Sequence, residues 1–434
     1  MSAESPHAPR ISFDRWLLIA CAAVLGLTVL YPTLRLGGEA FFLWDKEALT
    51  GGHAWLTIRN TLIIGFGSVA GAGVCGTALS IVLTRFTFPG SRVLAGLAYL
   101  PFTLPPLVGV LSFYYLIGKS GFIARFAERM LGIEDAVLPG VWAILLIHTY
   151  SFYVFFYAMV APALANLDRY QLEAARTLGA SRARVFFRVT LPLLRPSLTG
   201  ASLLTFMSSC ASFSAPYFFA DKFPVLSVAI YTERSQDNHG AAVTLTVILA
   251  IVSLLGILLF RSNLSSGKSG SKGTPRPIGS SSGRVLAGVG AWSVIALLLL
   301  PHATILWLSF ADYRAWNTEL IPTVMTVQNY TELFTNRNAF GPIRNSLWMS
   351  AVATAATLLI ALPAAYLIAR RRPGGAWLNV LVMIPWALPG TVIAINLIVA
   401  FNDRWLPLYG TVWLLPLAYF VRNIPMLTRM VGAS

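Results

Sequence analysis

Glu173-Ala174-Ala175-Arg176-Thr177-Leu178-Gly179-Ala180-Ser181, followed by Val189-Thr190-Leu191-Pro192, is a polar block set between long apolar segments. Asp168 with Gln171 three residues later has the form of a capping box that starts a helix, and Gly179 can supply the left-handed residue that ends it. Ser181 is placed to cap a second helix, which Pro192 is expected to stop. The reading is helix, turn, helix outside the bilayer, carrying Arg169, Arg176, Arg182, Arg184 and Arg188 on a docking surface.

The rest of the chain sets that block in a membrane. Of its 434 residues 56% are apolar and only 11% charged, against about a quarter charged in soluble domains. Apolar stretches of spanning length lie near residues 16–34, 60–83, 93–117, 139–163, 199–220, 241–260, 285–309, 345–369, 377–401 and 411–430. An all-α polytopic protein with about ten transmembrane helices follows. The net charge of +15 does not point to nucleic acid, because the basic residues are scattered between apolar stretches rather than gathered on a domain. With the N-terminus in the cytoplasm, most of them fall on cytoplasmic loops, including Arg10, Arg15, Arg85, Arg92, the polar block and Arg370-Arg371-Arg372. The acids there are Glu4, Asp14, Asp168 and Glu173. The first apolar run is long enough to span and is read as retained, not as a cleaved signal. Cys21, Cys75 and Cys210 all fall inside apolar stretches without ligand spacing and read as small core residues.

Residues 262–284 form a Gly/Ser linker with basic residues and two prolines, read as a flexible cytoplasmic tether. It separates two similar halves, 1–261 and 285–434. Ile58-Arg59-Asn60-Thr61-Leu62 matches Ile343-Arg344-Asn345-Ser346-Leu347, and Leu100-Pro101-Phe102-Thr103-Leu104-Pro105 matches Ile384-Pro385-Trp386-Ala387-Leu388-Pro389, at offsets of 285 and 284. Near-equal offsets favour a parallel duplication with both halves in one orientation. Met159-Val160-Ala161-Pro162-Ala163 corresponds to Met430-Val431-Gly432-Ala433-Ser434 at an offset of 271. A second copy of the polar loop is therefore expected with its glutamate at about position 444, so the second half is read as incomplete, ending before its own loop, with a degenerate half that lacks the loop as the alternative.

The polar block, at 164–198, resembles the EAA loop of binding-protein-dependent ABC importer permeases, with Glu173, Ala174, Ala175, Gly179, Val189, Leu191 and Pro192 in the family's positions and Val189 in place of the usual Ile. The resemblance implies two tandem MetI-like permease halves. It also implies that the loop is the coupling helix seated in a groove of the cytoplasmic ATPase subunits, which the resemblance implies act as a dimer. Glu173 would anchor it, Ala174, Ala175 and Ala180 would allow close packing, and Gly179 would set the bend. An external solute-binding protein would deliver the solute, and the setting would be the bacterial inner membrane. The fused arrangement is most similar to iron(III) permeases, with relatives for thiamine, aminoethylphosphonate and polyamine. No catalytic residue, metal site or cofactor is expected in the chain.

Other constellations agree. Gly118-Lys119-Ser120 and Gly267-Lys268-Ser269 both lack the leading glycine and the strand-to-helix setting of a phosphate loop, so ATP hydrolysis must come from a partner. The proline-rich segments, with Pro101, Pro105, Pro106, Pro385 and Pro389, lie near mid-span; they read either as kinked helices lining a pathway or as kinks that serve packing alone. His148, His302 and Arg422 are the ionisable groups within spans, and His148, a candidate pathway residue, reads first as a neutral, hydrogen-bonded interior side chain. No buried carboxylate relay appears, which argues against a proton-coupled secondary transporter. The segments Glu39–His53, Phe122–Leu138, Asp221–Asn238 and Asp312–Asn338 carry aromatic, acidic and amide groups suited to receiving a binding protein, and read equally as ordinary solvated loops.

Overall fold

The computed structural model describes residues 10–50, 53–133, 138, 140–167, 169–220, 223–260, 276–277, 280–316 and 318–432. Its helices are α1 (Arg10–Leu25), α2 (Tyr31–Phe42), α3 (Lys46–Thr50), α4 (His53–Arg85), α5 (Ser91–Leu97), α6 (Pro106–Ile117), α7 (Phe122–Leu131), α8 (Gly140–Ala165), α9 (Arg169–Thr177) and α10 (Arg182–Val185). They continue with α11 (Leu191–Cys210), α12 (Ser214–Phe219), α13 (Leu226–Ser235), α14 (His239–Phe260), α15 (Ser281–Ser309), α16 (Gln328–Thr335), α17 (Arg337–Ala369), α18 (Gly375–Ala387), α19 (Gly390–Phe401) and α20 (Leu414–Gly432). Among the described residues extended pairing is confined to one two-residue parallel pair, β1 (Phe86–Thr87) with β2 (Arg276–Pro277), and an isolated antiparallel bridge between Ala311 and Met325.

Among the described residues seven helices or helix runs are long and apolar enough to cross a membrane, and an eighth span arises if the bent pair α18 and α19 counts as one. All ten expected stretches contain α-helix, but 93–117 is interrupted at 98–105, 377–401 at 388–389 and 199–220 by a turn after Cys210. The spanning run near the third stretch is Pro106–Leu131, and α11 and α20 fall outside the set that meets the length and hydropathy test.

The two proline-rich segments are broken rather than kinked. A residue before proline is pushed out of the α region, and Leu104 (φ −85°, ψ 125°) and Leu388 (φ −108°, ψ 136°) are both extended. Pro105 and Pro389 follow with ψ of 140° and 151°. The break turns α19 by 111° from α18. The same backbone at the same 284-residue offset, and 33 residues in both α4 and α17, carry the sequence repeat into the structure.

Pro192 also behaves differently from the expectation that it stops a helix. Residues Phe186–Thr190 widen into a π turn, closed by the Leu191 N–H to the Phe186 carbonyl, and Pro192 enters the first turn of α11. The wider turn relieves the clash of a proline ring with the carbonyl four residues back. Pro32 is handled the same way, after the π turn Gly26–Leu30.

Two compact units emerge: one from the described residues of Met1–Ala54, Ala229–Leu254 and Glu332–Ser434, the other from Trp55–Val228 and Leu255–Thr331. These cut across the sequence halves. α1 and α2 pack with α17 to α20, and α15 packs with α5 and α6. In the second unit one core joins Ala72, Tyr153, Phe156, Ala201, Ile295 and Leu298, and another joins Ile64, Val110, Phe113, Ile144 and Ile147. In the first unit charges pair at both ends of the α1–α2 run. Asp14 meets Arg372 Nε at 3.0 Å, and Arg35 reaches Asp403 at 3.4 Å. The pKa of Arg372 is raised, first by its hydrogen bond to the Tyr366 hydroxyl and then by Asp14. At 1.5 Å per residue Asp14 and Arg35 are about 30 Å apart, the thickness of a bilayer core.

Candidate functional site

The polar block folds as its local signals require. α9 ends in a Schellman motif: Gly179 (φ +81°) donates to the Arg176 carbonyl at 2.9 Å, and Ala180 donates to the Ala175 carbonyl at 3.1 Å. Ser181 then caps α10, its Oγ accepting from the Arg184 N–H at 3.3 Å. Asp168, the other expected cap, lies outside the described residues. Glu173, Ala174 and Arg176 are exposed, Ala175 and Ala180 half-buried. Leu178 is 88% exposed at the tip of the turn. Sequence reading passed over this leucine because it sits between the motif positions. Leu191 is half-buried and Pro192 exposed, while Leu194 anchors α11 among Val160 and Leu164 of α8. Arg85, at the end of α4, donates to Thr190 at 3.4 Å and ties the exit of the loop to the helix beneath it.

The candidate pathway residues separate into two kinds. Pro101, Pro385 and Pro389 are buried; Pro105 and Pro106 are exposed. The carbonyls set free at the breaks find donors, as backbone at membrane depth must. Tyr153 and Tyr157 of α8 donate to the Ala98 and Ala95 carbonyls at 2.9 and 3.3 Å. Arg422 of α20 donates to the Leu388 carbonyl at 3.2 Å. That contact gives Arg422 its place, which the sequence left open.

His148 is buried and takes part in a cluster of hydroxyls. Its Nδ1 lies 2.9 Å from Ser68 Oγ and 3.1 Å from Ser209 Oγ, and its Nε2 lies 2.9 Å from Ser212 Oγ. Ser68 and Ser209 also reach the Ile64 carbonyl. Among the described residues no carboxylate touches the ring, and a neutral imidazole with one donor and one acceptor nitrogen suits the cluster. It pins α4, α8 and the break after α11 together. His302 is partnered by Thr103 at 3.4 Å.

Cys21 and Cys210 are buried as expected, but Cys75 is exposed on the outer face of α4. Among the described residues no group of His, Cys, Asp and Glu is arranged to hold a metal. Gly118-Lys119-Ser120 is a turn between α6 and α7, not a strand-to-helix loop, and Gly267-Lys268-Ser269 lies outside the described residues.

Comparison with known proteins converges on one family. Residues 74–263, which contain the polar block, match the binding-protein-dependent transport system inner membrane component. The sulfate transport system permease protein CysT of Salmonella typhimurium is 31% identical over 60% of this chain and 93% of its own length. The ferric transport system permease protein FbpB of Actinobacillus pleuropneumoniae is 28% identical over 97% of this chain and 64% of its own length. A probable ABC transporter permease, y4fN of Sinorhizobium fredii, is 27% identical over 96% of this chain and 76% of its own length. With a polytopic helical fold and an exposed Glu-Ala-Ala helix in the matched region, the chain belongs to the inner membrane components of binding-protein-dependent transport systems, the permease subunits of ABC transporters.

Proposed function

We propose that this permease carries iron(III), released by an external binding protein, across the bacterial inner membrane, driven by ATPase subunits docked on α9. The exposed Glu173-Ala174-Ala175 helix with Leu178 at its tip is the observation that supports the docking. Support for iron comes from coverage: the similarity to ferric permeases runs through 97% of the chain, that to the sulfate permease through 60%. In this reading the N-terminus and the linker face the cytoplasm. Residues 1–261 form one permease half and 285–434 belong to a second of the same orientation.

The mechanism is mechanical. Closure of the ATPase subunits draws α9 with it, and the motion passes through Arg85 and Thr190 into α4 and α11. The breaks at Leu104 and Leu388 give the spans the places at which they bend, and their tyrosine and arginine donors keep freed carbonyls satisfied. The competing reading, a channel or secondary transporter working without ATP, makes a different prediction. Chain, ATPase and binding protein are reconstituted in proteoliposomes and radioactive iron(III) uptake is followed. Uptake that requires ATP and is lost in Glu173→Arg supports the proposal; uptake indifferent to both overturns it. Sulfate or molybdate uptake in place of iron would keep the docking and correct the solute.

A further inference from the structure

The first unit holds an open groove of about 470 Å³ between α17 and α20. The repeat identifies its counterpart. α17 corresponds to α4 at the offset of 285, and α20 to α8 at 271, where Val141-Trp142 also recurs as Val412-Trp413. Ser350, Ala353 and Thr357 on one wall then stand for Gly65, Ser68 and Ala72, while Tyr419, Asn423 and Met426 on the other stand for His148, Phe152 and Phe155. Those are the residues on which α11 lies in the second unit. Phe206 packs against Gly65, Ser209 bonds to Ser68 and His148, and Ala201 shares a core with Ala72. None of the six counterparts is exposed, whereas Ser350, Tyr419, Asn423 and Met426 are.

We infer that the α17–α20 groove receives a transmembrane helix built on the α11 pattern, with a small residue where α11 has Phe206 and with hydroxyl or amide groups on its buried face. The inference rests on the two-halves reading above. The differences between the grooves set the chemistry. A Cβ on Gly65 would stand 2.8 Å from the Phe206 ring, and Ser350 carries that atom, so a phenylalanine there would be overpacked. Ser350, Thr354 and Asn423 put hydroxyls and an amide where the filled groove has Gly65, Val69 and Phe152. Asn423 Nδ2 already donates to the Tyr419 carbonyl at 2.8 Å, but acyl chains offer nothing to its Oδ1 or to the Ser350 and Thr354 hydroxyls, while a helix bearing polar side chains pairs with them.

The test uses the whole chain in lipid nanodiscs with a photoreactive benzoylphenylalanine at Met426, which is 62% exposed, or at Trp377 on α18, 77% exposed, as the control. Three synthetic peptides are offered: the α11 sequence, the same with Phe206→Ala, and a scrambled version. Capture of the Phe206→Ala peptide at 426 is expected about tenfold above both the unmodified peptide and the 377 control, the size of a modest overpacking penalty. Asn423→Leu in the chain should lower that capture several-fold. Equal capture at the two positions, capture of the scrambled peptide, or adducts at 426 holding only lipid or a second copy would overturn the inference. Capture without iron uptake would leave it standing and remove the iron reading; uptake without capture would do the reverse.

Discussion

Gly179→Val is the perturbation that bears most directly on the proposed coupling. A Cβ at this position would meet nothing within 4 Å, so no neighbour resists it. The cost is in the backbone, because φ is +81° and the Schellman bonds to Arg176 and Ala175 require it. A left-handed residue costs an L-amino acid about 1–2 kcal/mol, with β-branched side chains at the upper end or beyond. Opening the turn instead gives up two exposed hydrogen bonds of about 0.5–1.5 kcal/mol each. Either route puts the penalty near 2 kcal/mol, or about a thirtyfold loss of the native turn. Leu178 and the end of α9 would then no longer be presented in one geometry. Gly179→Asn is the matched control, since asparagine tolerates the left-handed region. The assay is solute uptake per ATP hydrolysed in proteoliposomes. Valine should lower the ratio tenfold or more, asparagine by no more than about threefold, with equal membrane insertion for both. If valine and asparagine behave alike, or valine couples normally, the turn does not position the docking helix and the reasoning fails.

Three further outcomes follow from packing and hydrogen bonding. Gly76→Ala drives its Cβ into the Tyr153 carbonyl oxygen and Phe156 of α8, and thermal unfolding in detergent should show a loss of about 1–3 kcal/mol; Gly37→Ala, with open space around it, should be neutral or stabilising by under about 1 kcal/mol. His148→Leu leaves Ser212 Oγ without its ring partner, a cost of about 1–3 kcal/mol, and Ser212→Ala in that background should recover part of it, which a purely steric defect would not. Arg422→Leu removes the donor to the Leu388 carbonyl and should cost about 1–3 kcal/mol, while hydrogen exchange speeds up at Gly390–Ile393 first; unchanged exchange there would mean the carbonyl has another donor.

What the sequence disclosed and what it concealed divide by range. The loop was legible residue by residue because its rules are local: a left-handed glycine, a serine two places on, and a helix on either side. The apolar spans were legible for the same reason, since length and composition suffice. Prolines were misjudged where two backbone solutions compete. Proline at a span's centre can bend a helix, break it, or be absorbed by a π turn, and the choice depends on donors that arrive from elsewhere. At Leu388 the donor is Arg422, 34 residues away; at Ala98 it is Tyr153, 55 residues away. A chain at membrane depth breaks where a remote side chain pays the carbonyl's hydrogen bond, and widens to a π turn at Pro32 and Pro192, where the helix itself can supply one. The repeat connects both scales. It was visible as two short matches, yet only the backbone at Leu104 and Leu388 shows that the matched residues encode a break. Only the compact units show that α1, α2 and α15 pack outside their own sequence halves. Repetition in sequence therefore specified the bends of each half, while the partner of each leading helix was set by packing that no local pattern records.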